Sequence, residues 1–372
     1  MTKILFSFLF ITTLSSYTFS QGARKVQVAI LFDTSNSMDG LLDQAKSRIW
    51  NIINDVSSLT HQGQTPKMEF AIYQYGNDRL EKSNHFIQQV LNLTGDMDLI
   101  SQKLFSLRTN GGSEYCGAVI GKSLTDLAWS DNPLDLKMIY IAGNESFAQG
   151  PISYIEECKK AINKGVFINT IFCGTKSQGI KLFWEKGANC SSGDYFNIDS
   201  NQEIVQIDTP YDDQIMQYND SLNGTYYGFG QQGTSRKSSQ MDEDFNASKQ
   251  SMSVAADRAV VKSKSKVYNN SSWDLIDAID NNTIQLEDVK EADLPKEFRN
   301  KSIKEKNNLL ETKKNQRSIY QEKIAILAKK RNTYIKAQKS NTSLGDDDFG
   351  TSVTKSIYTK AALLGLKANS PK

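Results

Sequence analysis

The chain predicts an α/β fold: a doubly wound, mainly parallel six-stranded sheet with one antiparallel edge strand, followed by an α-helical extension. Three observations lead there. From residue 26 to about 200, apolar strand-like runs alternate with amphipathic helical segments, the pattern of parallel strands covered on both faces. One pair of runs is joined by a link too short to hold a crossover helix, so it closes as an antiparallel hairpin at a sheet edge. Beyond residue 205 the strand-like runs stop, and helical patterns rich in Lys, Asn and Gln replace them.

Residues 26–32 (VQVAILF) make the first strand. LLDQAKSRIWNIINDV follows, with Leu42, Ala45, Ile49, Ile52, Ile53 and Val56 at helical spacing. KMEFAIYQYG and HFIQQVLNL are the arms of the hairpin, turned at Gly76, Asn77 and Asp78. Helices are expected at 98–107 and 115–129, then the strand LKMIYIA and a helix at 152–163 closed by Gly165. The strand VFINTIF, a helix at 179–186 and a last strand at 194–198 complete the sheet domain. Ligands of such sheets bind at the carboxyl ends of the parallel strands, and Asp33 stands at one of those ends.

A length of 372 residues allows one sizeable core and a second, smaller unit. The first unit spans 24–205, a linker with helical and loop segments spans 206–250, and an α-helical region spans 251–372. Residues 296–340 hold fourteen basic and four acidic residues, with Leu310, Tyr320, Ile324, Leu327 and Tyr334 near a three-four repeat. One long basic helix packing by a narrow apolar stripe fits this pattern, with a short helix at 352–366 after it. Trp273 reads as a packing anchor. Gly228, Gly230 and Gly233 spell Gly-x-Gly-x-x-Gly, but no buried strand precedes them and no apolar helix follows, so the stretch reads as a flexible linker.

Residues 1–20 read as a signal peptide. Lys3 precedes an apolar run over 4–14, shorter than the ~20 residues that span a bilayer, and Thr18 and Ser20 sit where a cut before Gln21 needs small residues. The mature chain is then exported to a periplasm, cell envelope or the medium, and touches membrane only through the signal before cleavage. In an oxidising compartment Cys116, Cys158, Cys173 and Cys190 are disulfide candidates, with three pairings open. No Cys-x-x-Cys pair occurs, and His61 and His85 are the only histidines, so a zinc site has little material. The net charge of +2 selects no partner, and export together with few aromatics among the basic residues argues against nucleic acid.

Chemistry concentrates in LFDTSNS. Asp33, Ser35 and Ser37 follow a buried strand, so one loop can turn a carboxylate and two hydroxyls to a common point. Hard divalent cations take such oxygen ligands, and Mg²⁺ keeps several waters beside one or two carboxylates. A plain helix cap is the competing reading of the same triplet. Haloacid dehalogenase-type phosphotransferases place a nucleophilic Asp here with a second acid two residues on. That position is Ser35, which leaves no proton donor for a leaving group.

The triplet, its place after the first strand, and NGGSEYCG further on together resemble the von Willebrand factor type A domains. GGSEYCG, IAGNESFAQG and NTIFCG resemble a bacterial exported subset of that family. The resemblance covers residues 24–200 and implies a metal-ion-dependent adhesion site. Asp33, Ser35 and Ser37 supply its first element, and Ser113 stands for the Thr of a Gly-Gly-Thr loop. The third element departs: IYIAGNES has Gly143 where the family has Asp, leaving Asn144, Glu145 or Glu114 as stand-ins. The implied cofactor is a divalent cation, Mg²⁺ first, with Ca²⁺ or Mn²⁺ as alternatives. The implied partner is a protein that presents a carboxylate to the ion. The resemblance also favours Cys116 with Cys173, leaving Cys158 with Cys190. The expectation is an exported, non-enzymatic binding or adhesion protein. The alternative is a structural or scaffolding envelope protein with a degenerate metal site, interacting or self-associating through its helical region.

Overall fold

The structure, a computed structural model, describes residues 23–198, 207–341 and 348–368; the expected signal peptide lies outside them. The sheet domain runs β1 (Lys25–Asp33), α1 (Leu41–Val56), β2 (Leu59–Thr60), β3 (Lys67–Tyr75), β4 (Ile87–Thr94), α2 (Met97–Ser106), α3 (Cys116–Asp126), β5 (Leu136–Gly143), α4 (Tyr154–Lys164), β6 (Val166–Cys173), α5 (Lys176–Lys181), α6 (Trp184–Asn189) and β7 (Tyr195–Ile198). Six strands form one sheet in the order β4-β3-β1-β5-β6-β7. Every pairing is parallel except β3 with β4, the expected edge hairpin.

β1 is central and buried on both faces, which is why it is apolar without alternation from Val28 to Phe32. Val26, Val28, Ile30 and Phe32 meet Ile49, Ile53 and Val56 of α1 on one side. Ala29 and Leu31 point to the other side, toward Val119, Ile120 and Leu124 of α3 and Trp184 of α6. Asp96 caps α2 by accepting from the Leu99 amide at 3.0 Å, and Gly165 closes α4 in the left-handed region at φ 66°. The helix expected at 179–186 is instead two short helices, because Phe183 takes a left-handed conformation (φ 71°) and turns Trp184 inward.

The helical region is α7 (Asp212–Asn223), α8 (Gly233–Gln250), α9 (Met252–Lys262), α10 (Leu275–Asp280), α11 (Ile303–Asn341) and α12 (Asp348–Leu363). It forms a third layer over the α1 side of the sheet. Val254, Ala255, Ala259, Ile324 and Ile357 share one continuous apolar core with β1 and α1. β8 (Lys367–Ala368) returns to pair antiparallel with β2. On α11, Leu310, Ile324 and Leu327 of the expected stripe are buried, and Arg317 and Arg331, spaced seven residues from Leu310 and Ile324, are buried with them. Arg317 binds Asp274 at 2.7 Å and Asp277 at 2.8 Å and lies 4.0 Å from the Tyr226 ring. Arg331 binds Asp212 at 2.7 Å and Asp257 at 2.9 Å. Trp273 is buried beside Tyr226, as a packing anchor should be.

Two expectations need correction. The glycine-rich stretch is not a flexible linker: Gly228 bridges to Asp274, and a Cβ on Gly233 would lie 2.4 Å from the Gly228 carbonyl carbon. These glycines let two backbones touch. Directly after them the chain is helical, since α8 starts at Gly233. Its inward face carries Gln240, Glu243 and Asp244 rather than an apolar stripe. The second correction concerns the cysteines. Cys158 and Cys190 are joined, with Cα atoms 5.8 Å apart, but Cys116 and Cys173 remain separate buried thiols. They lie on opposite faces of the sheet: Cys116 packs with the α3 and α4 cluster, whereas Cys173 packs with Met38 and Leu41.

An ion network ties the layers. Arg258 of α9 binds Asp98 of α2 at 2.5 Å and Asp244 of α8 at 3.0 Å, and Lys262 binds the same Asp244. Burial pushes Asp244 up, but Lys262 and Arg258 outweigh it and hold the carboxyl well below its ordinary value of 3.8. A carboxyl depressed by folding contributes stability that is present above its unfolded value and lost as pH falls through the folded one. Asp244→Asn leaves two buried cations short of a partner. It should cost about 3–5 kcal/mol in urea unfolding at pH 7 and should flatten part of the stability loss below pH 4. An unchanged urea midpoint contradicts this role.

Candidate cation site

Three loops meet above the carboxyl end of β1, and their backbones are laced together. The Asn36 amide donates to the Gly111 carbonyl at 2.7 Å, the Asn110 amide to Thr34 at 2.9 Å, and the Asp78 amide to Asn110 at 3.2 Å. Gly111 is required here: it sits at φ 70°, and a Cβ would lie 2.1 Å from Cγ of Asp78. Lys46, buried on α1, donates to the Leu107 carbonyl at 3.1 Å and braces the base of the same loop.

Asp33 lies in the middle, fully buried. Its Oδ1 accepts from the Ser35 amide at 2.8 Å, a local turn bond of the kind short acidic side chains favour. Its Oδ2 is buried and has no hydrogen-bond partner among the described residues. Burial pushes the carboxyl up to about 7; bonds from Ser35 oppose this, and the charges of Glu114 and Glu145 add to it. The Ser35 and Ser37 hydroxyls are 2.8 Å apart, and Ser37 donates to Asn144 Oδ1 at 3.0 Å. Asn144 returns a bond to the Ser37 carbonyl at 3.0 Å. The structure therefore brings Asp33, Ser35, Ser37 and Asn144 together. Ser113 is on the laced loop, half-buried, and its hydroxyl makes no hydrogen bond to Asp33, Ser35 or Ser37. Glu145 is exposed, and its carbonyl receives the Trp184 indole at 2.7 Å.

Sequence reasoning gave Glu114 too little weight. It is buried, accepts from Gln149 at 3.0 Å, and its carboxyl is raised by burial. The sequence carries a signal for it: an acid directly after Gly-Gly-Ser, two residues before α3 opens at Cys116. Gly143 also has a different meaning from a lost ligand. A Cβ there would lie 2.7 Å from the Tyr75 hydroxyl and 3.0 Å from Cη2 of Trp184. Tyr75 is buried, donates to the Ala142 carbonyl at 3.0 Å and stands 3.7 Å from Cys116 Sγ. Burial pushes the Tyr75 hydroxyl and the Cys116 and Cys173 thiols up, so all three are neutral near pH 7.

This donor set fits a hard divalent cation. It offers an orphaned buried carboxylate oxygen, two hydroxyls within hydrogen-bond distance of each other, and a second buried carboxylate. Among the described residues no group of three or more His, Cys, Asp and Glu could hold a metal, so hydroxyls and water would have to complete the coordination. Mg²⁺ tolerates that arrangement.

The strand order with its single antiparallel edge makes the sheet domain a doubly wound α/β fold, similar to that of von Willebrand factor A domains, with the Asp-x-Ser-x-Ser loop that ends β1 laced to the Gly-Gly-Ser loop. No family model matches the chain, and no curated protein does. Among solved structures it is similar to proximal thread matrix protein 1 from the mussel byssus, at 16% identity over 48% of this chain and 42% of that one, with a TM-score of 0.36. It is also similar to BatB from Bacteroides thetaiotaomicron (16%, 47% of this chain and 90% of that one, TM-score 0.36). A third is the VWA domain of SpRpn10 (17%, 47% and 88%, TM-score 0.35). The match thus spans less than half of the byssus protein.

Because the space above Gly143 is taken by side chains, Gly143→Ala should cost about 1–3 kcal/mol in urea unfolding. Tyr75→Phe removes the nearest atom, so the double variant should be less destabilised than the sum of the single ones. Strict additivity would show that the Tyr75 hydroxyl does not fill that position.

Proposed function

We propose that the chain is an exported binding protein whose A-type domain holds a divalent cation at its top face and uses it to capture an acidic group on a protein partner. The observation that carries this reading is the Asp33 carboxylate, fully buried with Oδ2 unpartnered beside the paired hydroxyls of Ser35 and Ser37. A buried carboxylate without a partner is costly, and such groups in native proteins are paired or coordinate metals. Asp33, Ser35, Ser37 and Ser113 would hold the ion. When bound, the cation supplies a positive centre with a coordination position open to a carboxylate. Asp33 keeps its orientation through the Ser35 amide, and Asn144 fixes Ser37 through two hydrogen bonds.

Export agrees with the Cys158–Cys190 bond, since disulfides persist in oxidising compartments. No helix among the described residues is long and apolar enough to cross a membrane. The scaffolding alternative draws less support. Leu310, Ile324 and Leu327 of α11 are buried within the chain, which leaves that stripe little apolar surface for self-association.

Isothermal titration of the mature protein with Mg²⁺ or Mn²⁺ tests the reading. Binding is expected, and a concentration one hundred times Kd should add about 2.7 kcal/mol of stability. Asp33→Ala should abolish both effects, and chelator should release the captured partner. Absence of any cation effect on the wild-type protein overturns the proposal.

A further inference from the structure

Of the residues that match the family's pattern only Asp33 is a carboxylate, with Asn144, Glu145 or Glu114 left to stand in for the missing Asp. We infer that Glu114 supplies the second, from the α3 side of the site; the inference rests on the cation reading above. The position at which the family carries its aspartate is closed to any side chain, with the Tyr75 hydroxyl 2.7 Å and Trp184 3.0 Å from where a Cβ on Gly143 would sit. Asn144 is already engaged through both its amide oxygen and its amide nitrogen by Ser37. Glu145 is exposed.

Glu114 is buried, and its bond from Gln149 reaches only Oε2. Only 6% of it is exposed. It faces Asp33 across Gly76: a Cβ on that glycine would lie 2.9 Å from Asp33 Oδ1 and 2.9 Å from Glu114 Cγ. A Cβ on Gly112 would lie 3.1 Å from Glu114 Oε1. Two glycines, one of them at φ 77°, therefore leave room for two buried acids to approach one another. Among the described residues neither Asp33 nor Glu114 has a Lys, Arg or His in ion-pair contact, although many other buried acids of this chain do. Two buried like charges without a counter-charge are strongly unfavourable, and a divalent cation supplies that counter-charge. Glu114 thus restores the two-carboxylate charge of the site by a route that avoids Gly143.

The test is Mn²⁺ binding to the full mature chain, read by electron paramagnetic resonance of the free ion. Wild type, Glu114→Gln, Glu145→Gln and Asp33→Ala are compared, with urea midpoints in chelator as a fold check. Glu114→Gln should weaken Mn²⁺ binding at least about tenfold, and Glu145→Gln should leave it within about threefold. In chelator, Glu114→Gln should be no less stable than wild type, because one of two like charges is gone. If the Gln variant fails to fold, Glu114→Asp, which keeps the charge but shortens its reach, should show a loss of several-fold. Equal affinity of wild type and the Glu114 variant overturns this assignment while leaving the cation site standing. A loss confined to Glu145→Gln moves the second carboxylate to that residue and overturns it as well. No Mn²⁺ binding by the wild type removes the cation reading and this inference together.

Discussion

The arrangement depends on where β1 ends. A strand flanked by parallel neighbours on both sides and covered by helices on both faces is expected to be apolar, and β1 is from Val28 to Phe32, up to Asp33. There the chain places a carboxylate inside the protein with half of its hydrogen-bonding capacity unmet. Burial, rather than any single neighbour, raises its affinity for a proton. The Ser35 amide, the laced loops and the Lys46 brace all keep this carboxylate from relaxing toward solvent.

The helical region solves a different problem with charge. α8 and α11 have too little apolar surface to bury themselves, so arginines and a lysine enter the interior and each finds aspartates there. Asp98 of α2 belongs to the sheet domain, so the Arg258 network spans the boundary between the layers. Such pairs add little net stability over apolar packing, but losing one partner is expensive, which makes the docked arrangement specific. The candidate site lies at the carboxyl end of β1, whereas these helices pack on the α1 side of the sheet.

Much of the sheet domain is legible in the sequence because its signals are local. The run from Val26 to Phe32, the spacing of Leu42 through Val56, and the short hairpin link each identify one element, and their order identifies the topology. Asp33, Ser35 and Ser37 are legible for the same reason. What escapes the sequence depends on contacts between distant residues. Gly143 reads as a missing ligand until Tyr75 and Trp184 are seen occupying its side-chain space. Glu114 reads as one of several spare acids until Gly76 and Gly112 are seen making room for it. Cys116 opens α3 and Cys173 ends β6, and the faces they pack against are opposite. α8 carries no apolar period at all, because its inward residues are polar partners of a network assembled from four helices.

The central claim is that the buried Asp33 carboxylate is a cation ligand. Anomalous diffraction from crystals grown with Mn²⁺ tests it most directly. The account predicts a single strong peak roughly 2–2.5 Å from an Asp33 carboxylate oxygen, with the Ser35 and Ser37 hydroxyls turned toward it. A saturating soak that leaves Asp33 without metal, or places the ion elsewhere on the molecule, contradicts it.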